Sequence, residues 1–167
     1  MKSVCVVMGS DSDLPVVRRT IDILARFEVP WSARVISAHR TPEAAERLAR
    51  NAADEDVGVI IAAAGKAAHL GGVIAAYTIL PVIGLPIKSS TLDGLDSLLS
   101  IVQMPKGIPV ATVAIDGAEN AALLAIQILA LAEPELALRL AEYKADMARE
   151  VEDKDAKLQT EVETWTI

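Results

Sequence analysis

Five short runs of apolar, largely β-branched residues recur along the chain: SVCVVM (3–8), SARVIS (32–37), VGVIIAA (57–63), LPVIGLP (80–86) and PVATVAI (109–115). Between them the apolar positions fall three and four apart, the helical period, so the pattern predicts a regular β–α alternation. The strands read as apolar on both faces, as required when helices cover both sides of a parallel sheet. The expected architecture is therefore α/β, a flavodoxin-like three-layer sandwich built on a five-stranded parallel sheet. In such sheets a ligand binds beyond the carboxyl ends of the strands, so the residues that follow each run are the ones to read for chemistry.

Past the fifth run, GAENAALLAIQILALA predicts an Ala/Leu helix, and a second, longer helical segment over 133–165 opens at Pro134. Leu136, Leu140, Tyr143, Met147, Val151, Leu158, Val162 and Trp165 draw one apolar stripe along that otherwise charged segment. A stripe this long outruns a five-stranded sheet, and its far end is expected to pack on a neighbouring subunit. No linker interrupts the chain, which reads as a single domain over 1–167.

Composition narrows the possibilities. Hydrophobic residues make up 52% of the chain but aromatic residues only 3%. The core must then be Ala, Val, Ile and Leu, with no aromatic cage for a stacked cofactor. A net charge of −7 offers no basic face, which argues against nucleic acid as a partner. The longest apolar stretch, LGGVIAAYTILPVIGLPI, is broken by glycine and proline and reads as helix, turn and strand rather than a membrane span. MKSVCVVMGS is too short an apolar run for a secretory signal, so a cytoplasmic location is expected. Cys5, alone and in the first run, reads as a buried small hydrophobe.

Three strand ends carry polar chemistry. The first is MGSDSDLP, where Gly9 suits a tight turn and Ser10 or Ser12 suits a helix cap. Capping does not account for two serines and two aspartates around one glycine. Backbone N–H groups and a serine hydroxyl suit a phosphate, whereas Asp13 beside a phosphate would repel it and is better matched to a ribose diol. The second is ISAHRTP. Thr41 stands at the N-cap of a helix beginning at Pro42, which leaves Ser37, Ala38, His39 and Arg40 in the exposed turn. The dipole of that helix disfavours an imidazolium at His39, and Arg40 offers a forked anion contact. The third is AAAGKAAHLGG. Its small residues, Gly65 and Ala67 among them, admit a planar ring, and Lys66, His69 and Leu70 complete the turn. His69 reads equally well as a helix start or as a pocket wall. Two histidines and scattered acids have no metal-ligand spacing, so no metal is expected.

The blocks GSDSD, SAHRTPE, AGKAAHLGGVIAA and LDGLDSLLSIVQMPKGIPVATVAI closely resemble the class I N5-carboxyaminoimidazole ribonucleotide mutases of purine biosynthesis, the family of the phosphoribosylaminoimidazole carboxylase catalytic subunit. The resemblance covers nearly the whole chain, in order and spacing. It implies an isomerase that moves a carboxyl group from an exocyclic nitrogen to ring carbon C4 through transient carbon dioxide. It also implies a homo-octamer that uses no cofactor. On the matching positions it implies that Ser10, Asp13 and Arg40 bind the ribose phosphate, that Gly9, Ser37 and Ala38 line the pocket, and that His39 transfers the proton. The Gly65 to Leu70 loop, with Lys66, Ala67 and His69, would hold carbon dioxide by backbone amides.

The chain departs from the usual pattern at Lys66, where a second glycine is common, and at Gly71, where proline is common. Direct carboxylases of aminoimidazole ribonucleotide, which use carbon dioxide, are the alternative, but they lack the AAHL run. A phosphorylated receiver domain would share the architecture and the Asp11/Asp13 pair, yet AAAG and VAID stand where it needs an aspartate and a lysine. A flavin carrier would need an aromatic residue at a strand end, and there is none.

Overall fold

The computed structural model describes residues 1–165, so positions 166 and 167 of the single-domain reading lie outside the described residues. Five parallel strands form one sheet: β1 (Ser3–Met8), β2 (Trp31–Val35), β3 (Val57–Gly65), β4 (Val82–Ile87) and β5 (Ala111–Thr112), in the order β2-β1-β3-β4-β5. This is the flavodoxin-like order, whose direction of winding reverses between β1 and β3. The helices are α1 (Leu14–Arg26), α2 (Pro42–Asn51), α3 (Leu70–Ala75), α4 (Leu95–Val102), α5 (Ala118–Ala130) and α6 (Pro134–Glu163).

The strand period of two divides the core between the two faces of the sheet. Cys5 and Val7 of β1 and Ala62 and Ala64 of β3 cluster with Ala45 and Ala49 of α2, Leu70 and Ile74 of α3 and Ile101 of α4. The alternate residues, Val4, Val6, Ile61 and Ala63, are equally buried and point the other way. There the buried Thr20 hydroxyl of α1 donates to the Ala118 carbonyl of α5 at 2.9 Å. Small residues set how closely the layers approach. At Gly84 in β4 an added Cβ would lie 2.2 Å from Ile101 Cγ2, so a helix sits where any side chain would be.

Two strand readings need correction. β2 ends at Val35, and every residue in it is exposed or partly exposed, because it is a sheet edge; both-face burial holds for β1, β3 and β4 only. The fifth run contributes only Ala111–Thr112 to the ladder, again at an edge, where one neighbour supplies all the pairing.

Residues 1–129 form one compact unit, and the chain from Ala130 forms a second. In the second, α6 begins at Pro134 and runs for 30 residues, about 45 Å of helix. Leu136 and Leu140 are buried, whereas Met147, Val151, Leu158 and Val162 are exposed. Among the described residues no helix is long and apolar enough to cross a membrane.

Candidate active site

A cleft of about 600 Å³ opens over the carboxyl ends of β1 to β4, and the residues expected from the three strand ends to bind or react with a ligand line it, whereas Asp11, Thr41 and Gly71 do not. The loop after β1 contributes Gly9, Ser10 and Asp13, the loop after β2 contributes Ser37 to Arg40, and the loop after β3 contributes Gly65, Lys66, Ala67, His69 and Leu70.

After β1, Ser10 caps a 3-10 turn over Asp11–Asp13, accepting from the Ser12 amide at 3.3 Å. The Ser12 hydroxyl lies 2.9 Å from Ser10 Oγ and 3.4 Å from Asp13 Oδ1. Gly9 is not forced by its backbone. The chain bends there as expected, but with no positive φ and no Cβ contact closer than 3.8 Å, so the bend itself does not require glycine.

Asp13 is only 8% exposed. Burial raises its carboxyl pKa, and Asp11 adds to the rise, against the Ser10 amide and Ser12 hydroxyl, which lower it. A raised folded-state value means that ionised Asp13 disfavours the fold. The penalty is complete above that raised value and vanishes below the ordinary Asp pKa of about 3.9, where folded and unfolded chains are both protonated. Asp13→Asn is therefore expected to melt at a higher temperature than wild type at pH 7, with the gap closing as the pH falls toward that value. Thermal melts across this range check it; a lower melting temperature at pH 7 would contradict the strain assigned to this carboxylate.

After β2, the turn is sewn to itself. The Thr41 amide and hydroxyl both donate to the Ser37 carbonyl, at 2.8 and 3.0 Å, and the Ser37 amide donates to Thr41 Oγ1 at 3.0 Å. Thr41 occupies the N-cap position of α2 but makes no side-chain cap bond, because its hydroxyl is spent on Ser37. Ser37 Oγ accepts from the Arg40 amide at 3.2 Å and from Arg40 Nε at 3.4 Å. That contact steers the guanidinium by one nitrogen and leaves its outer fork for an anion. His39 is left at the exposed tip.

Its ring meets His69. His39 Nε2 lies 3.0 Å from His69 Nδ1, with the rings edge to face at 83°. Two bare ring nitrogens at this distance would repel, so one of them carries the hydrogen. β1 lies between β2 and β3 in the sheet, and the two loops therefore meet across its end. Both readings of His69 hold: it is the N-cap residue of α3, its carbonyl accepting from the Val73 amide at 3.0 Å, while its ring makes no side-chain cap bond and lines the cleft.

After β3, the chain turns on Lys66, whose φ is +57°. The Ala68 amide donates to the Lys66 carbonyl at 2.8 Å and the His69 amide to the Ala67 carbonyl at 2.9 Å. A residue with a Cβ pays about 1–2 kcal/mol for this backbone and glycine does not, so the glycine usual here has a physical reason.

The loop after β4 adds Lys88, Ser89 and Ser90, which the sequence reading missed. Lys88 Nζ pairs with Asp93 at 3.1 Å, and the Ser89 hydroxyl lies 2.8 and 2.9 Å from the two Asp96 carboxylate oxygens. The signal was available: KSS follows the fourth apolar run at the same sheet edge as the other three loops. With Lys88 paired to Asp93, Arg40 and Lys66 stand against the single lining carboxylate of Asp13, which leaves the cleft a local excess of positive charge in a chain of net charge −7. The arrangement can bind an anionic ligand and move a proton beside it.

Residues 3–150 match the family model described as AIR carboxylase. An N5-carboxyaminoimidazole ribonucleotide mutase of Pyrococcus horikoshii is 59% identical over 154 residues, 92% of this chain and 87% of that one. The protein of the same name from Thermotoga maritima is 53% identical over 159 residues, 95% of this chain and 93% of that one. Among solved structures, PurE of Treponema denticola superposes with a TM-score of 0.84 at 29% identity, covering 93% of this chain and 97% of that one.

Proposed function

That this chain belongs to the AIR carboxylase family is the premise from which we infer that it is an N5-carboxyaminoimidazole ribonucleotide mutase, an isomerase of purine biosynthesis. The observation that carries the reading is the high identity to mutases along nearly the full chain. The cleft supports it: a hydrogen-bonded imidazole pair stands inside a locally positive pocket.

In the proposed reaction the bond between the exocyclic nitrogen and the carboxyl carbon breaks, releasing carbon dioxide, and the nitrogen takes a proton from the His39 imidazolium. C4 of the ring then attacks carbon dioxide. Neutral His39 removes the C4 proton, so the proton lent in the first half returns in the second. His69, through the shared hydrogen, sets which nitrogen of His39 is free to act. Ser10, Asp13 and Arg40 hold the ribose phosphate, with Gly9, Ser37 and Ala38 against it. Backbone N–H groups of the Gly65 to Leu70 loop hold the carbon dioxide and the carboxylate it becomes. The ligand is thus a small ribonucleotide. The exposed apolar positions of α6 support packing on another copy within a homo-octamer, and purine synthesis suits a cytoplasmic enzyme.

Turnover tests this. The enzyme is expected to convert N5-carboxyaminoimidazole ribonucleotide to the 4-carboxy product without added bicarbonate. Product formed only from aminoimidazole ribonucleotide and carbon dioxide would instead identify a direct carboxylase.

A further inference from the structure

Five non-glycine residues have positive φ among the described residues, namely Glu28, Asp56, Lys66, Asp93 and Asp116, and of these only Lys66 lines the cleft. An unfavourable backbone retained in a site points to a role for the side chain that occupies it. The three cations of the cleft also differ in their engagement. Arg40 is held by Ser37 and Lys88 is paired with Asp93, whereas the Lys66 ammonium has no ion pair or side-chain hydrogen bond among the described residues. Arg40 follows β2 at one edge of the sheet, and Lys66 follows β3 at its centre, in the same loop as His69. Two separated positive poles suit a ligand with two separated anionic groups.

We propose that Lys66 is the specificity-determining cation for the carboxylate of the substrate and product, distinct from the pole at Arg40 that takes the phosphate. The proposal rests on the mutase reading and adds to it a charge contact, where the loop otherwise offers only backbone amides. An ammonium at this point, with no competing ion pair among the described residues, lowers the energy of the carboxylated ribonucleotides relative to the decarboxylated intermediate. It binds the two ends of the reaction better than its middle.

Calorimetric binding of two probes to the whole enzyme tests the assignment: 4-carboxy-5-aminoimidazole ribonucleotide, and aminoimidazole ribonucleotide, which lacks the carboxylate. Lys66→Met is expected to weaken the carboxylated probe by about tenfold and the other by less than about twofold. Lys66→Gly, which suits the backbone, should show the same selective loss, and Lys66→Arg should restore most of the discrimination. Equal weakening of both probes would place Lys66 at the phosphate, and no weakening of either would leave it a solvated side chain; both overturn the proposal. Failure of wild type to bind either probe would instead remove the mutase reading itself.

Discussion

His39→Asn is expected to lower kcat by about 10²- to 10⁴-fold while KM stays close to wild type. Asparagine keeps a polar group at the tip of the Ser37 to Thr41 turn, and that turn is closed by bonds that do not involve the His39 side chain. What the amide lacks is a nitrogen that can take up a proton and return it. The variant therefore separates proton transfer from positioning. If His39 served only to orient His69 or the ligand, asparagine would keep much of the activity. Steady-state rates with N5-carboxyaminoimidazole ribonucleotide, together with a melt to show that the fold is retained, decide the matter. Near-normal kcat in the folded variant would end the proposed role of this imidazole. The reciprocal expectation for ground-state binding follows from the site's layout: the cations that line the cleft, Arg40, Lys66 and Lys88, make no hydrogen bond or ion pair with His39.

Arg40→Ala should produce the opposite split, a KM raised by about 10- to 100-fold with kcat changed far less. The guanidinium is prepared for this task by the two bonds to Ser37 Oγ, one from its own amide and one from Nε. Losing it removes both a charge and a forked donor. Arg40→Lys keeps the charge but loses the fork, and belongs between the two. Because Arg40 is exposed, added salt should weaken wild type more than Arg40→Ala. A fall in kcat at constant KM would contradict the anchoring role.

Much of this architecture is legible in the chain because periodicity and burial agree. SVCVVM coincides with β1, and Pro42 and Pro134 open α2 and α6. The disagreements have physical causes. An edge strand needs to bury little, so β2 and β5 differ from their apolar runs although the runs themselves are real. Local propensity placed Thr41 at the helix cap correctly but could not show that its hydroxyl serves Ser37 instead.

The site divides along the same line. Each loop could be read singly, since strand ends face the crevice in any sheet of this class. The contact between His39 and His69, 30 residues apart in sequence, could not, because it depends on the spatial order of the strands that carry them. Lys88 and Ser89 follow a strand end that is as readable as the others, but serines after an apolar run suggest a turn before they suggest a wall.

The imidazole pair joins two crossovers that never touch along the chain, with β1 beneath them. Their separation follows from the pairing of β1 with both neighbours, β2 at the sheet edge and the buried β3. The spacing of the two rings is thereby tied to strand pairing in the sheet as well as to the two turns that carry them. The proposed proton relay then depends on the integrity of the sheet beneath it, and a substitution that loosens the pairing of β1 would reach the two rings from a distance.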